Sequence, residues 1–277
     1  MKWLLVLLCG CNQVFGLRET SSSDPPFYDA PSRRPPHCPA FGESLVFSPM
    51  LHQLHFDCSQ YNESTDVNLS VAMCRDSDQY QPYSGPREGP FSPITELPNR
   101  TIDFDVSNPQ LDPEGDMLLI STFDLTNIVG ALRVYRRAGD TWVRDADVPS
   151  APPRTSNPSR GPDHRILGTN GTSDVVEISD ASGSWQQVRT HTKGVLGVPS
   201  VGAIWLSADA LRIVFVANAF DLPENRSIMY ADRATKDGLF GPARPLALPI
   251  VEDIFITEDC GRLYFSGLRS IFYAESP

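Results

Sequence analysis

The chain has 277 residues, of which 40% are hydrophobic, and its formal net charge is −11 at pH 7. This length allows a sizeable core in one large domain or two smaller ones. The negative charge argues against binding nucleic acid or an anionic membrane through charge, and 25 prolines with 19 glycines predict many turns and little helix.

The first ten residues resemble a bacterial lipoprotein signal. Lys2 precedes a short apolar stretch, residues 3–8, that is far too short to span a bilayer as a helix. Residues 8–11 (LCGC) are similar to a lipobox, which implies that Cys11 is the lipid-modified N-terminus of an outer-membrane lipoprotein. The alternative is an ordinary signal peptide cut near Gly16, which would give a secreted protein.

Residues 11–40 are predicted to form a disordered tether. They are rich in serine and proline and show no apolar periodicity. Prolines keep such a segment extended, so it could hold a domain away from a membrane.

From residue 41 onward one sequence pattern occurs five times. In residues 206–274 the pattern occurs twice, as an acidic turn, an apolar strand, a polar loop and a strand around Tyr230 or Tyr273. Aromatic residues that follow a turn are spaced by about 43–55 residues, the size of a propeller blade. We expect an all-β fold, a β-propeller of five four-stranded blades. The expected blades are residues 41–98, 99–149, 150–193, 194–249 and 250–277, and the aromatic markers are Phe91, Trp142, Trp185 and Phe240.

These units resemble the WD-repeat-like blades of TolB-type propellers. The resemblance rests on Ser207-x-Asp209 before an apolar strand, on the segment 228–231 (IMYA), and on Gly238-x-Phe240. It is clearest in the fourth and fifth units, although Ala210 stands where the family has glycine. The resemblance implies a protein partner at the cell envelope.

The fifth unit ends without an outermost strand. Residues 34–40 lie just ahead of the first unit and could supply it, as an edge strand at best because of their prolines. An unclosed ring and pairing with another chain are the alternatives.

Four cysteines besides Cys11 belong to the expected mature domain, and an even number in an exported domain predicts two disulfides. If residues 54–56 and 69–72 are the second and third strands of the first blade, Cys58 and Cys74 lie at opposite ends of a hairpin. They would then be too far apart to bond. The expected pairs are therefore Cys38–Cys58 and Cys74–Cys260.

Motifs for a nucleophile elbow, a zinc protease, a P-loop or a Cys-x-x-Cys site do not occur, so we predict no catalytic residue, cofactor or metal. Three groups of acidic or histidine side chains are candidates for catalysis or metal binding, but we favour a purely structural role for each. They are His52 and His55 with Asp57 as a metal site, Asp103 and Asp105 as a carboxylate pair of a glycosidase, and Asp112, Glu114 and Asp116 as calcium ligands.

Two further patterns are assigned to turns. Asp209 and the pair Glu258 and Asp259 recur at equivalent places, which predicts carboxylates that accept backbone N–H bonds. Asn-x-Ser/Thr sequences could be glycan sites in a eukaryotic secretory protein, but we favour the interpretation that they belong to turns. These asparagines are Asn62, Asn68, Asn99, Asn170 and Asn225.

We therefore expect a binding or scaffolding module, anchored by lipid at the cell envelope, with a ligand over the axial mouth of the propeller or on one rim. The alternative function is a glycosidase-like or lyase enzyme with carboxylates at the mouth. Membrane contact would be through the N-terminal lipid only, and no nucleic acid is expected.

Overall fold

The structure, a computed structural model, describes residues 38–39, 43–76, 79–87, 89–98, 104–112, 114–124, 126, 129–148, 156–161, 165–170, 173–179, 185–218, 225–248, 253–267 and 270–276. The expected signal, Cys11 and the expected tether up to residue 37 lie outside these residues, as do Asn99 and Asp103. The described residues all belong to one compact unit, Pro36–Pro277. Among them, no helix is long and apolar enough to cross a membrane.

The described residues form a five-bladed β-propeller, which confirms the predicted fold. Each blade is a four-stranded antiparallel sheet, named here from the innermost strand outwards. Blade 1 contains β2 (Cys58–Glu63), β3 (Ser70–Asp76), β4 (Gln79–Gly85) and β5 (Ser92–Pro93), and blade 2 contains β6 (Phe104–Leu111), β7 (Met117–Asp124), β8 (Val129–Ala138) and β9 (Thr141–Asp147). Blade 3 contains β10 (Ser156–Gly161), β11 (Arg165–Thr169), β12 (Val175–Ser179) and β13 (Gln186–His191), and blade 4 contains β14 (Val201–Leu206), β15 (Arg212–Ala217), β16 (Ser227–Asp232) and β17 (Arg244–Pro245). Blade 5 contains β18 (Ile254–Ile256), β19 (Arg262–Gly267), β20 (Ser270–Glu275) and β1 (Leu51–Phe56).

The core lies between neighbouring blades, and this explains the composition of the central strands. A strand covered on both faces is apolar at successive positions instead of at every second one. All six residues of β15 and all five of β12 are buried. The five innermost strands contact one another in a ring, and a short helix, α1 (Lys193–Leu196), leads from blade 3 to blade 4.

The ring is closed by an N-terminal strand, but not by the residues expected to do so. The strand is β1, which pairs with β20 as the outermost strand of blade 5. The prediction that residues 34–40 supply it is wrong, and so is the placement of residues 54–56 in the first blade. Because β1 directly precedes blade 1 in the sequence, it was expected in that blade. Its backbone partners are instead residues 270–274 of blade 5.

The disulfide pairing also differs from the expected one. Cys38 bonds Cys260, with Cα atoms 4.9 Å apart, and Cys58 bonds Cys74, with Cα atoms 4.0 Å apart. Cys58 begins the innermost strand of blade 1 and lies directly opposite Cys74 in β3. The predicted distance between them was wrong because it assumed that blade 1 begins one strand earlier.

We call residues 43–56 the N-terminal strap. Leu45 and Phe47 are buried in a core cluster formed largely by blades 4 and 5. The carbonyl of Glu43 accepts a bond from Arg212 Nη2 at 2.8 Å, and the backbone N–H of Ser48 donates to the carbonyl of Glu275 at 2.7 Å. The strap therefore packs against blades 4 and 5 before it becomes β1.

The acidic turns have the structural role that their recurrence predicted. Asp209 Oδ1 accepts the hydroxyl of Ser207 at 2.6 Å and the N–H of Leu211 at 2.9 Å. In blade 5, Asp259 Oδ1 accepts the hydroxyl of Thr257 at 2.6 Å and the N–H of Gly261 at 2.9 Å. The same turn is thus built twice from the same side-chain chemistry.

Candidate functional site

Four of the five innermost strands carry a β-bulge at equivalent positions. Two bulge residues, Gln60 and Asn108, have φ angles of 56° and 53°. This left-handed conformation costs roughly 1–2 kcal/mol for a residue other than glycine. Bulges redirect side chains, and these two residues line a cavity. The register shifts fall between Ser59 and Asn62, Ser107 and Gln110, Ser156 and Ser159, and Val201 and Ile204.

The cavity lies where the innermost strands meet, at the axis of the propeller. The space between atoms there is about 240 Å³ when the part open to solvent is included, and the enclosed part has room for about one water molecule. Blades 1, 2, 4 and 5 all contribute to its wall. The lining residues are Gln60, Tyr61, Asn108, Gln110, Ala203, Ile204, Asp253 and Ile254.

Hydrogen bonds between blades fix the amide side chains around this cavity. Gln60 Oε1 accepts the N–H of Asn108 at 2.7 Å. Asn62 Nδ2 donates to Gln110 Oε1 at 2.9 Å, and Asn62 Oδ1 accepts the N–H of Leu111 at 2.7 Å. Because each bond joins blade 1 to blade 2, the polar wall is also part of the contact between these blades.

The described wall is polar and carries one carboxylate, Asp253, but no lysine or arginine. Asp253 Oδ2 accepts the hydroxyl of Ser266 at 3.1 Å. Burial raises the pKa of Tyr61 well above its ordinary value, and the nearby Glu63 adds to this. Tyr61 therefore stays protonated and donates to Glu63 Oε2 at 2.7 Å. Asp253 gives the cavity negative charge, while the amide oxygens of Gln60 and Gln110 already accept hydrogen bonds from the neighbouring blade.

The described acidic residues that were candidates for catalysis or calcium binding do not line this cavity. Asp105 lies on β6 and is not among the described lining residues, and Asp103 is outside the described residues. Asp112 is buried, and its Oδ1 accepts the N–H groups of Asp116 and Met117, both at 2.9 Å. Asp112 is therefore bound into a turn, while Glu114 is exposed.

The histidines weighed as metal ligands lie on strand β1, not in a turn. The ring of His52 stacks on Tyr273, with centroids 4.7 Å apart. Asp57 follows β1, and its carbonyl accepts the N–H of Arg75 at 2.7 Å. Within the described residues, no group of three His, Cys, Asp or Glu side chains is placed to hold a metal.

One asparagine of the Asn-x-Ser/Thr sequences is buried in the contact between two blades. Asn62 is 2% exposed and uses both ends of its amide between blades. Asn68 and Asn225 are exposed. A glycan on Asn62 would require these inter-blade bonds to break, so its sequon marks a structural residue.

The sequence analysis missed a buried charge cluster between blades 3 and 4. Glu177 on β12 is fully buried, and four side chains donate to it. Arg233 Nη1 and His191 Nε2 lie 3.0 and 3.2 Å from its Oε2, Arg189 Nη1 lies 3.2 Å away, and Arg165 contacts Oε1. Burial alone would raise the pKa of Glu177, but the bonds from His191, Arg233 and Arg165 lower it to about 2.

Strand register shows why a carboxylate occurs there. Glu177 lies opposite Arg189 in blade 3, as Tyr230 lies opposite Arg244 in blade 4 and Tyr273 opposite His52 in blade 5. In blade 4 the guanidinium of Arg244 lies over the ring of Tyr230 and in blade 5 the ring of His52 stacks on Tyr273, whereas in blade 3 Arg189 meets a carboxylate. The recurring arginines were visible in the sequence, but the register that aligns them was not.

A second acidic group lies where the turns of three blades converge. The pKa of Glu258 is raised, first by burial and then by the nearby carboxylates of Asp66, Glu114 and Asp259. These residues belong to the first turns of blades 1, 2 and 5. The group concentrates negative charge on one face of the propeller.

Comparison with protein-family models and with curated protein sequences gave no match. Among solved structures, TolB from Acinetobacter baumannii is similar, with a TM-score of 0.49, 15% identity, and coverage of 80% of this chain and 55% of that chain. A proposed 6-phosphogluconolactonase from Bacteroides uniformis has a TM-score of 0.47, 14% identity, and coverage of 73% and 61%. A gluconolactonase from Xanthomonas campestris has a TM-score of 0.46, 10% identity, and coverage of 82% and 89%. The chain spans less than two thirds of the length of the first two proteins.

Proposed function

We propose that the protein is an exported module, anchored by a lipid on Cys11 at the outer membrane, that binds a protein partner at the axial mouth of its propeller. The observation that carries this proposal is the convergence of Gln60, Asn108, Gln110 and Asp253 on one axial cavity. Side chains from three blades are held there by the fold itself, so a ligand would meet a preformed polar wall. Two disulfides fit an oxidising compartment outside the cytoplasm.

The charge of the wall favours a partner that presents positive charge. Its described polar groups are three amides, a tyrosine and a carboxylate, without a lysine or arginine. The formal net charge of −11 would attract a basic segment over longer distances. We propose that the bound segment is a basic, extended part of a protein.

The catalytic alternative has less support. Glycosidases of the common type need two carboxyl groups on either side of the scissile bond. The described lining contains a single carboxylate, Asp253. A binding role uses the observed wall without a second acid.

The binding proposal can be tested by capture from envelope extract with the full chain as bait. We expect one partner to be retained by the wild type and by Val188→Ser, a change at an exposed edge residue. Asp253→Asn and Gln60→Ala should each lower retention at least tenfold, and added salt should do the same for the wild type. Equal retention by all four proteins would place the binding surface elsewhere. Glycoside turnover that is lost in Asp253→Asn would favour the enzyme.

The anchor is tested separately by labelling cells with radioactive palmitate. Label should enter the wild type and be lost in Cys11→Ala, which should also leave the membrane fraction. Retention of label in Cys11→Ala would exclude Cys11 as the acylated residue.

A further inference from the structure

The axial cavity presents hydrogen-bond donors beside its negative charge. Gln60 and Gln110 both line it, from blades 1 and 2. Gln60 Oε1 accepts the N–H of Asn108 at 2.7 Å, and Gln110 Oε1 accepts a bond from Asn62 Nδ2 at 2.9 Å. A primary amide that accepts through its oxygen keeps its NH2 group for donation. Within the part of the chain that the structure describes, neither of these NH2 groups has an acceptor.

Backbone groups fix the orientation of the two glutamine amides. An N–H group can only donate, so the N–H of Asn108 must meet the oxygen of Gln60. The N–H of Leu111 meets Asn62 Oδ1 at 2.7 Å in the same way, which leaves Asn62 Nδ2 to donate to Gln110. Neither glutamine can turn over without losing a bond between blades 1 and 2. The fold itself therefore gives this wall its two NH2 donors.

The enclosed part of the cavity discriminates between basic side chains by size, since it has room for about one water molecule. A lysine ammonium is a compact group with three N–H donors, whereas an arginine guanidinium is a planar fork with five. Asp253 supplies the counter-charge. A carboxylate accepts up to about four hydrogen bonds, so the bond from Ser266 does not exhaust it. An ammonium group therefore matches this space, and a guanidinium exceeds it.

Apolar residues complete the wall. Ala203, Ile204 and Ile254 line the same cavity, in blades 4 and 5. The four-carbon stem of a lysine favours apolar surface, while its charged head stays with a polar partner. One carboxylate, two amide donors and this apolar part together match a lysine whose neighbouring main-chain carbonyls accept from the amides.

We propose that the axial cavity is a socket for one lysine side chain of the partner. The ammonium group binds Asp253, and main-chain carbonyl oxygens next to the lysine accept the NH2 groups of Gln60 and Gln110. This inference rests on the proposed function, which supplies a protein partner at the axial mouth, and it names the residue that the cavity recognises.

Peptide titration of the isotope-labelled full chain tests the socket, with the side-chain NH2 signals of Gln60 and Gln110 followed by NMR. The probes are the acetylated and amidated peptides Gly-Lys-Gly, Gly-Arg-Gly and Gly-Lys-Gly with a trimethylated ammonium group. The lysine peptide should shift both signals and bind roughly tenfold more tightly than the arginine peptide, a difference equivalent to about one good hydrogen bond. The trimethylated peptide keeps its charge but has no N–H on that group, so it should bind as weakly as the arginine peptide. Equal affinities for all three would overturn the proposal, because charge alone would then explain binding.

Variants connect the bound peptide to the wall. Asp253→Asn should weaken binding of the lysine peptide roughly tenfold, whereas Val188→Ser, at an exposed edge position, should bind it like the wild type. Unchanged affinity in Asp253→Asn would show that the lysine binds elsewhere. The comparison of the three peptides uses the wild type alone, so it remains decisive even if Asp253→Asn does not fold.

Methylammonium chloride distinguishes a lysine from a free amine, because it offers the same head group without main-chain carbonyls. It should bind roughly tenfold more weakly than the lysine peptide. Equal binding would mean that the cavity takes small amines and would overturn the role of the peptide carbonyls. If the lysine preference is absent while partner capture is still lost in Asp253→Asn, this inference fails and the proposed function stands. Lysine binding without any captured partner would support the socket and count against the proposed function.

Discussion

Glu177 contributes stability that depends on pH in a predictable direction. Its pKa falls from an ordinary 4.5 to about 2 in the folded protein because His191, Arg233 and Arg165 donate to it. The unfolded chain binds this proton more readily, so the stabilisation is complete above about pH 4.5 and is lost as the pH falls toward 2. The shift corresponds to on the order of 3 kcal/mol.

We expect Glu177→Gln to lower the free energy of unfolding at pH 7 by on the order of 3 kcal/mol, because three buried or partly buried arginines lose their counter-charge. Its difference from the wild type should shrink between pH 5 and pH 3, as measured by urea unfolding. Asp237→Asn removes an exposed partner of Arg165 and should change little. A difference that stays constant with pH would contradict the assigned role of Glu177.

Glu258 should show the opposite pH dependence. Burial and the carboxylates of Asp66, Glu114 and Asp259 raise its pKa in the folded protein. The folded state then binds this proton more readily than the unfolded chain, so the charged carboxylate opposes folding at neutral pH. Glu258→Gln should raise the urea midpoint at pH 7, and the gain should disappear near pH 4. A loss of stability at pH 7 would show that the carboxylate is needed in its charged form.

Asn62 makes two of the hydrogen bonds that join the innermost strands of blades 1 and 2. Asn62→Ala leaves the buried N–H of Leu111 without its acceptor and should cost about 2–4 kcal/mol. Gln110→Ala removes only the other bond of Asn62 and leaves the N–H of Leu111 paired, so it should cost less. Thermal unfolding of the two variants provides the comparison. An equal loss in both would mean that the bond to Leu111 contributes nothing.

The repeated elements were predictable to different degrees. The turns of blades 4 and 5 were visible because one short segment supplies both the carboxylate and the N–H groups that it accepts, as in Thr257 to Gly261. The bulges were not predicted, because a bulge is defined by its partner strand. The Glu177 cluster joins side chains 12 to 56 residues apart, such as Arg233, and only the packing of blades 3 and 4 brings them together.

For the whole molecule, the number of blades was predictable because each unit repeats its own local pattern. The way in which the ring closes was not predictable, because β1 pairs with residues more than 200 positions away. Nothing near Leu51 distinguishes an outer strand of the last blade from a second strand of the first. Because the expected first blade began one strand too early, the expected disulfide pairs were also wrong.

The two disulfides should contribute unequally to stability. The loop closed by Cys38–Cys260 spans 222 residues and that closed by Cys58–Cys74 spans 16. Loop entropy predicts losses of about 5 and about 3 kcal/mol when each pair is changed to serine. Equilibrium unfolding of the two double variants in guanidinium chloride should give this order. The reverse order would show that local packing around Cys58 outweighs the entropy of the large loop.

The closure of the ring by β1 also has a consequence for how the chain folds as it is synthesised. Leu51 and its neighbours leave the ribosome early, yet their partner strand, residues 270–275, comes more than 200 residues later. Blades 1 to 4 can assemble in order as they emerge, whereas Leu45, Phe47 and β1 have no permanent partner until blade 5 is made. Exposed apolar segments of this kind favour aggregation and chaperone binding. The N-terminal strap is thus among the first segments to be synthesised and among the last to reach its native place.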